Sequence, residues 1–267
     1  MSCPDHLDKK VTRSADGSAG DADYGAIGKS YAHYRQPDRR IAARISQALG
    51  PARIVLNVGA GAGSYEPAGR VVTAVEPSAS MRAQRPAGLA AAVDATAEDL
   101  PFADDSFDAA MTTFSVHQWG DLGAGLREVR RVTRGPVVIL TGDPERLRRF
   151  WLGDYSPEVI DTEARRYPSV QTLAQGLGGA VEVDVVPVPL DCTDGFNEAY
   201  YGRPEMLLAP AARRSCSAWS LVEPEVIERF VRELGRDLAD GSWDARYGDL
   251  RKQPSFDGSL ILVTSRG

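Results

Sequence analysis

Cysteine is scarce in this chain, positive charge is not in excess, and no apolar run is long enough to cross a membrane. The three cysteines, Cys3, Cys192 and Cys216, are odd in number, and no pair sits at metal-ligand spacing. That argues against a disulfide framework, predicts no metal site, and fits free thiols in a reducing cytoplasm. The N-terminal residues hold no apolar signal core, so secretion is not expected. No stretch approaches the ~20 residues that a membrane-spanning helix needs, so no membrane partner is expected either. With 31 Lys and Arg against 37 Asp and Glu, the formal net charge is -6 and the pI is near 5.2. Nucleic acid is not expected as the main partner, because a phosphate backbone needs a basic face.

What is present is 267 residues of ordinary globular composition, 43% hydrophobic and 25% charged, enough for one α/β domain with an insertion. Residues 1–23 are polar and predict a disordered tail. A helix is expected from Asp38 to Leu49, with Pro37 at its start, Ile41, Ile45 and Leu49 on one stripe, and Gly50-Pro51 as its stop. Short apolar runs follow at 54–58, 71–75, 90–93, 107–114 and 136–140. Between the last two, Leu122, Leu126 and Val129 share a helical face. Nearly continuous apolar runs are expected of strands covered on both faces, and their alternation with helices implies a parallel sheet with right-handed crossovers. Residues 24–144 therefore read as a ligand-binding core with an N-terminal cap helix. Residues 145–267 read as the end of the sheet plus a helical insertion at about 190–257. There 181–188 is an edge strand, Pro224 opens a helix, and 259–264 is a last strand.

The sharpest motif is Asn57-Val58-Gly59-Ala60-Gly61-Ala62-Gly63, directly after the first run. Glycines here permit a tight turn and let a ligand approach the main chain. The second run ends at Glu76-Pro77, where a carboxylate can accept two hydrogen bonds from a ribose diol. The third ends at Asp94, placed to accept from an adenine amino group. The fourth leads through Phe114 and Ser115 to Val116 and His117. Four strand ends thus offer a backbone cradle, a diol acceptor, an amine acceptor and a group of reactive side chains. A nicotinamide dinucleotide is the rival ligand, but its pattern wants a glycine or alanine where this chain has Ser64.

These motifs, together with Val75-Glu76-Pro77-Ser78, Asp94-Ala95-Thr96-Ala97-Glu98-Asp99-Leu100-Pro101-Phe102 and Asp105-Ser106-Phe107-Asp108, resemble the class I S-adenosylmethionine-dependent methyltransferases, in particular the small-molecule branch called methyltransferase type 11. The resemblance covers residues 24–144 well and the remainder loosely. It implies a Rossmann-like sheet of order 3-2-1-4-5-7-6 with the last strand antiparallel. It implies that Gly59, Ala60, Gly61 and Gly63 lie under the methionine and ribose parts of S-adenosylmethionine. It further implies that Glu76 holds the ribose, and that Asp94 with the Ala95 amide and Thr96 meets the adenine. The family usually has Asp where this chain has Asn57, which keeps an acceptor and loses a charge.

The resemblance also implies an N-terminal helix over the cofactor. In 24–35, Tyr24, Tyr31 and Tyr34 can share a face. Aromatic faces favour a sulfonium, and Arg35 can pair with the methionine carboxylate. The alternative is a cap whose tyrosines only pack. Methyl transfer is a direct displacement on an activated donor, so positioning dominates and a base is needed only for a protonated nucleophile. His117 is the candidate base, with ring packing or a ligand contact as the plainer reading. Trp119 is either a pocket wall or core. Tyr200, Tyr201, Met206, Trp219 and Trp243 supply an acceptor pocket or, singly, ordinary core. Arg213-Arg214 reads as a solvated face, and Asp143 as a helix cap or a substrate contact. The expected function is methyl transfer to O, N or C of a small organic molecule, with secondary metabolism as one setting and S-adenosylhomocysteine as product. The rivals are a non-methylating reaction on the same fold, such as a cyclisation, a nicotinamide-dependent oxidoreductase, and a non-catalytic cofactor sensor.

Overall fold

A computed structural model describes residues 34–266. The expected tail at 1–23 and the residues Tyr24 and Tyr31 lie outside the described residues. Helix α1 (Arg39–Ala48) begins where Asp38 accepts a hydrogen bond from the Arg40 amide, and it buries Ile41 and Ile45. Strand β1 (Ile54–Val58) follows, then β2 (Val71–Val75), a short helix α2 (Ala79–Ala83) and β3 (Ala109–Thr113). Helix α3 (Leu122–Arg131), capped by Asp121, leads to β4 (Val137–Gly142). Helices α4 (Pro144–Leu147), α5 (Pro157–Arg166) and α6 (Val170–Gly176) precede β5 (Glu182–Val185). Asp143 caps α4, accepting from the Glu145 and Arg146 amides, which settles its two readings for the cap.

The chain then leaves the sheet and returns only at β8 (Leu260–Ser265). The excursion holds β6 (Val188–Pro189), α7 (Pro210–Arg214), α8 (Pro224–Asp240), α9 (Ser242–Tyr247) and β7 (Ser255–Phe256), with β6 and β7 paired antiparallel. Pro224 stands in the first turn of α8, where a missing N–H costs nothing.

The main sheet has the order β2-β1-β3-β4-β8-β5, parallel through β4 and antiparallel at β8. This is the Rossmann-like methyltransferase order, with one correction. The run 90–93 forms no strand, only a parallel bridge from Val93 to Val75 beside β2. Ala90 and Ala91 are exposed there, and alanine is a poor strand former with little to pack. Successive strand residues bury on opposite faces. Val55, Ala109, Met111, Val138 and Leu140 pack with Ile41, Val159 and Phe230 on one side. Leu56, Ala110, Val137 and Ile139 pack with Leu126, Val129 and Leu173 on the other. Each large side chain so buried contributes about 1.5–3 kcal/mol.

The excursion adds a set of aromatic side chains to the first of these two cores. Trp243, Tyr201, Trp219 and Tyr200 are all buried, and Trp151 meets Trp243 edge-on while Tyr201 stacks on Phe256. Met206 packs against the same core. Arg213 is a second correction: it is buried, donates to the Leu207 carbonyl and lies over the Trp219 ring. No helix among the described residues is long and apolar enough to cross a membrane.

Candidate active site

The strand ends carry the site, and β1 sets its floor. Past Val58 the chain turns through Gly59, Gly61 and Gly63, all at positive φ. A Cβ on Gly59 would fall 2.4 Å from the Ser115 hydroxyl oxygen, so a side chain there cannot fit. The loop is pinned by the Ala60 amide donating to the Val75 carbonyl. At the end of β2, Glu76 is 7% exposed. One of its oxygens accepts from the Gly61 amide and the other from the Ser78 amide, each at 2.8 Å. Burial raises the Glu76 carboxyl above its ordinary value, and those two amides with Arg82 and Arg85 pull only part of the way back.

The end of β3 supplies the third wall. Phe114 takes a left-handed φ of 52°, as Tyr65 does at 64°; strain at non-glycine residues is retained where a site needs it. The Ser115 hydroxyl donates to the Val58 carbonyl and accepts from Trp119 Nε1. These elements enclose a cleft of about 920 Å³, part of it open to solvent. Of the sequence-expected residues, Gly59, Ala60, Gly61, Glu76 and Pro77 line it from β1 and β2. Ala95 and Thr96 line it beyond the Val93 bridge, and Phe114, Ser115 and Arg35 line its other end.

Others fall outside it. Tyr34 packs on the core and its carbonyl accepts from the Gly195 amide. Asn57, buried at the end of β1, and Gly63, at the end of the turn, do not line the cleft. Asp94 points outward, with its side chain 53% exposed and paired to Arg82 at 3.0 Å. In its place Glu98 lines the cleft. One Glu98 oxygen accepts from the Asp121 amide, and the other is buried without a hydrogen-bond partner. The sequence reading also missed Tyr65, Met81, Gln118 and Asp194. Asp194 has no local signal, since it reaches the cleft from the excursion.

A second, smaller cavity shares Arg35 and Phe114 with the first. His117 lines it together with Glu163, Tyr167 and Phe196. Neither cavity is lined by Tyr200, Tyr201, Met206, Trp219 or Trp243, so the expected acceptor aromatics are core. The His117 ring meets Tyr167 edge-on, and its Nδ1 is buried without a partner. Tyr167 in turn donates to Glu163 at 3.0 Å, and Asn197 donates to the other Glu163 oxygen at 2.7 Å. The Tyr167 ring sits where any side chain at Gly142 would collide with it. Burial, reinforced by the Arg166 and Arg35 guanidinium groups, lowers His117 to about 3.

That shift has a measurable consequence. An unfolded histidine titrates near 6.5, so the folded chain binds fewer protons than the unfolded chain below that value, and stability is lost as pH falls. Between pH 6.5 and 5 the loss is about 2 kcal/mol from this one group. His117→Gln should therefore flatten the acid side of the melting profile relative to the parent by roughly 4–8 °C at pH 5. Unchanged profiles would mean that the imidazole titrates as in solvent. Cys192 and Cys216 are buried, and burial raises both thiols to about 12, so neither serves as a nucleophile at neutral pH. Among the described residues no group of His, Cys, Asp and Glu is arranged to hold a metal ion.

A parallel sheet with a glycine turn, a buried carboxylate at the next strand end and a cleft across the strand tips defines an α/β nucleotide-binding enzyme core. Comparison with known proteins narrows the class. Residues 56–140 match the family model described as a methyltransferase domain. A malonyl-[acyl-carrier protein] O-methyltransferase of Pseudescherichia vulneris is 33% identical over 169 residues, 58% of this chain and 65% of that one. A demethylmenaquinone methyltransferase of Mycolicibacterium paratuberculosis is 36% identical over 106 residues, 38% of this chain and 46% of the relative. The chain thus spans less than two thirds of the length of these curated relatives. Among solved structures, one described as a candidate methyltransferase from an antibiotic biosynthesis pathway of Anabaena variabilis superposes with a TM-score of 0.80 at 29% identity. It covers 87% of this chain and 99% of that one. Residues 56–140 thus match a methyltransferase domain, and the chain shares the class I S-adenosylmethionine-dependent methyltransferase fold.

Proposed function

We propose that this chain transfers the methyl group of S-adenosylmethionine to O, N or C of a small organic acceptor in the cytoplasm, leaving S-adenosylhomocysteine. The observation that carries the reading is the wall that the two cavities share at Phe114 and Arg35. One cavity suits the donor and the other opens beside it for an acceptor. The residues present fit the donor: Gly59 and Gly61 bring bare backbone to the cleft wall, and the unpartnered Glu98 oxygen offers an acceptor to a purine amino group. Glu76 takes the ribose diol, Ala95 and Thr96 flank the purine, and Gly59, Ala60 and Gly61 cradle the chain between. Asp94, exposed and paired to Arg82, serves the adenine end only indirectly.

S-adenosylmethionine supplies a methyl carbon on a positive sulfur that departs as a neutral thioether. The protein has to align the acceptor and exclude water. His117, lowered to about 3 and so held neutral, orients the acceptor by taking a hydrogen bond at its unpartnered Nδ1, and the proton released on transfer passes on to solvent. The excursion, including the expected lid at about 190–257, encloses the acceptor side through Phe196 and Ser215–Ser217. Saturation with S-adenosylhomocysteine at a hundred times its dissociation constant stabilises by about 2.7 kcal/mol. The melting midpoint should rise by roughly 5–10 °C, and a nicotinamide dinucleotide at the same concentration should leave it unmoved. A rise with the dinucleotide alone would replace this function with an oxidoreductase.

A further inference from the structure

Asp194 is the one carboxylate that the excursion places in the donor cleft, and it is 2% exposed. Three features of the chain converge on it. The Tyr65 hydroxyl donates to one of its oxygens at 2.8 Å, and Arg35 Nε donates to the other. Burial, with the Asp194 charge beside it, raises the Tyr65 phenol far above its usual range, so this group stays a donor. The backbone fixes the pair as well. Arg35 and Asp194 form an antiparallel bridge, and the Gly195 amide donates to the Tyr34 carbonyl at 2.7 Å. A Cβ on Gly195 would fall 2.8 Å from that carbonyl oxygen, so the approach depends on glycine. The Arg35 guanidinium in turn lies over the Phe114 ring, 5.1 Å from its centroid.

A buried ion pair costs several kcal/mol per ion in desolvation, roughly balanced by its own attraction. It is weak evidence of stabilisation, and its place in a ligand cleft asks for another reason. A carboxylate has about four lone-pair sites, and only two on Asp194 are filled by the bonds above. The pair lines the cleft beside Phe114. The matching ligand end is a zwitterion, an ammonium beside a carboxylate, with no net charge of its own.

We propose that Asp194 receives the α-ammonium group at the amino-acid end of the methyl donor, beside Arg35, which faces its α-carboxylate. The assignment rests on reading the cleft as the S-adenosylmethionine site. It makes a residue of the excursion a specificity determinant for the donor, and it tells a full sulfonium amino acid from a trimmed nucleoside.

The experiment is calorimetric titration of the full chain with S-adenosylhomocysteine and with 5′-methylthioadenosine, which keeps the nucleoside and lacks the amino-acid end. In Asp194→Asn the dissociation constant for S-adenosylhomocysteine should rise at least tenfold, while that for 5′-methylthioadenosine stays within about twofold. Equal losses for both ligands would reduce Asp194 to a fold-holding role and overturn the assignment. Titration of the unaltered protein with the deaminated analogue of S-adenosylhomocysteine guards against a variant that does not fold. A tenfold weaker constant than for the parent ligand is expected, and equal constants would overturn the assignment. If the unaltered protein bound none of the three ligands, the donor reading would fall and this assignment with it.

Discussion

Replacing Glu76 by Gln is expected to weaken S-adenosylhomocysteine binding by about 10²–10⁴-fold, while Asp94→Asn changes it by no more than a few-fold. The two acids stand at the ends of adjacent apolar runs and look equivalent in sequence. Their surroundings are not. Glu76 is buried against the glycine loop, whereas Asp94 faces solvent beside Arg82. Two ligand hydroxyls donating to a charged carboxylate contribute about 1.5–3 kcal/mol each, which gives the stated range. The substitution also disturbs the loop itself. The Gly61 and Ser78 amides each donate to one Glu76 oxygen. Gln offers only one, so a buried amide loses its acceptor. The pH dependence separates the ligand effect from the loop effect. Burial raises the Glu76 carboxyl, and hydroxyl donors favour its charged form. Affinity should therefore fall as pH drops through that raised value in the parent and stay flat in Glu76→Gln. Calorimetry from pH 5 to 8 decides it; equal losses in the two variants would put Asp94 in the cleft.

Much of this site is legible in the sequence where the chain makes it locally. The glycine turn, Glu76 and the Phe114-Ser115 step each follow directly from an apolar run, so strand ends read from periodicity place them together. Legibility fails in two ways. A strand end is inferred from an apolar run, and 90–93 is too poor in packing side chains to form a strand, so the side chains after it point differently from expectation. Asp94 turns outward, and Glu98, four residues on, takes the cleft. Asp194 illustrates the second failure. It is 159 residues from Arg35, in a segment whose path is set by aromatic packing against one face of the sheet rather than by strand periodicity. The aromatic residues 200, 201, 219 and 243 were visible as a cluster, yet hydrophobicity alone does not tell a pocket wall from a core.

Asn57 departs from the acid usual in the resembling family, and restoring that acid should harm this protein. The Asn57 side chain is 1% exposed, and its Nδ2 donates to Glu66 at 3.1 Å. Glu66 in turn pairs with Arg85 at 2.9 Å, both side chains about 5% exposed or less. Arg85 donates to the Ala90 carbonyl and, at 3.5 Å, to the Gly61 carbonyl within the glycine turn. The charge beside the loop thus stands on residue 66, and residue 57 is its neutral donor. Asn57→Asp would set an acceptor-only carboxylate against a buried carboxylate, at a cost of about 3 kcal/mol or more. Glu66→Gln would leave the buried Arg85 cation without its counter-charge, at about 3–5 kcal/mol. Each single variant should melt roughly 6–20 °C lower. The double variant returns one negative charge to the site and lets the amide introduced at position 66 donate to the carboxylate introduced at position 57. Its loss should be smaller than the sum of the singles by about 2 kcal/mol, within the range seen for residues in contact. Denaturant unfolding of the four proteins measures that coupling. Additive losses, or an Asn57→Asp protein as stable as its parent, would mean that Glu66 does not carry the charge on which the loop is built.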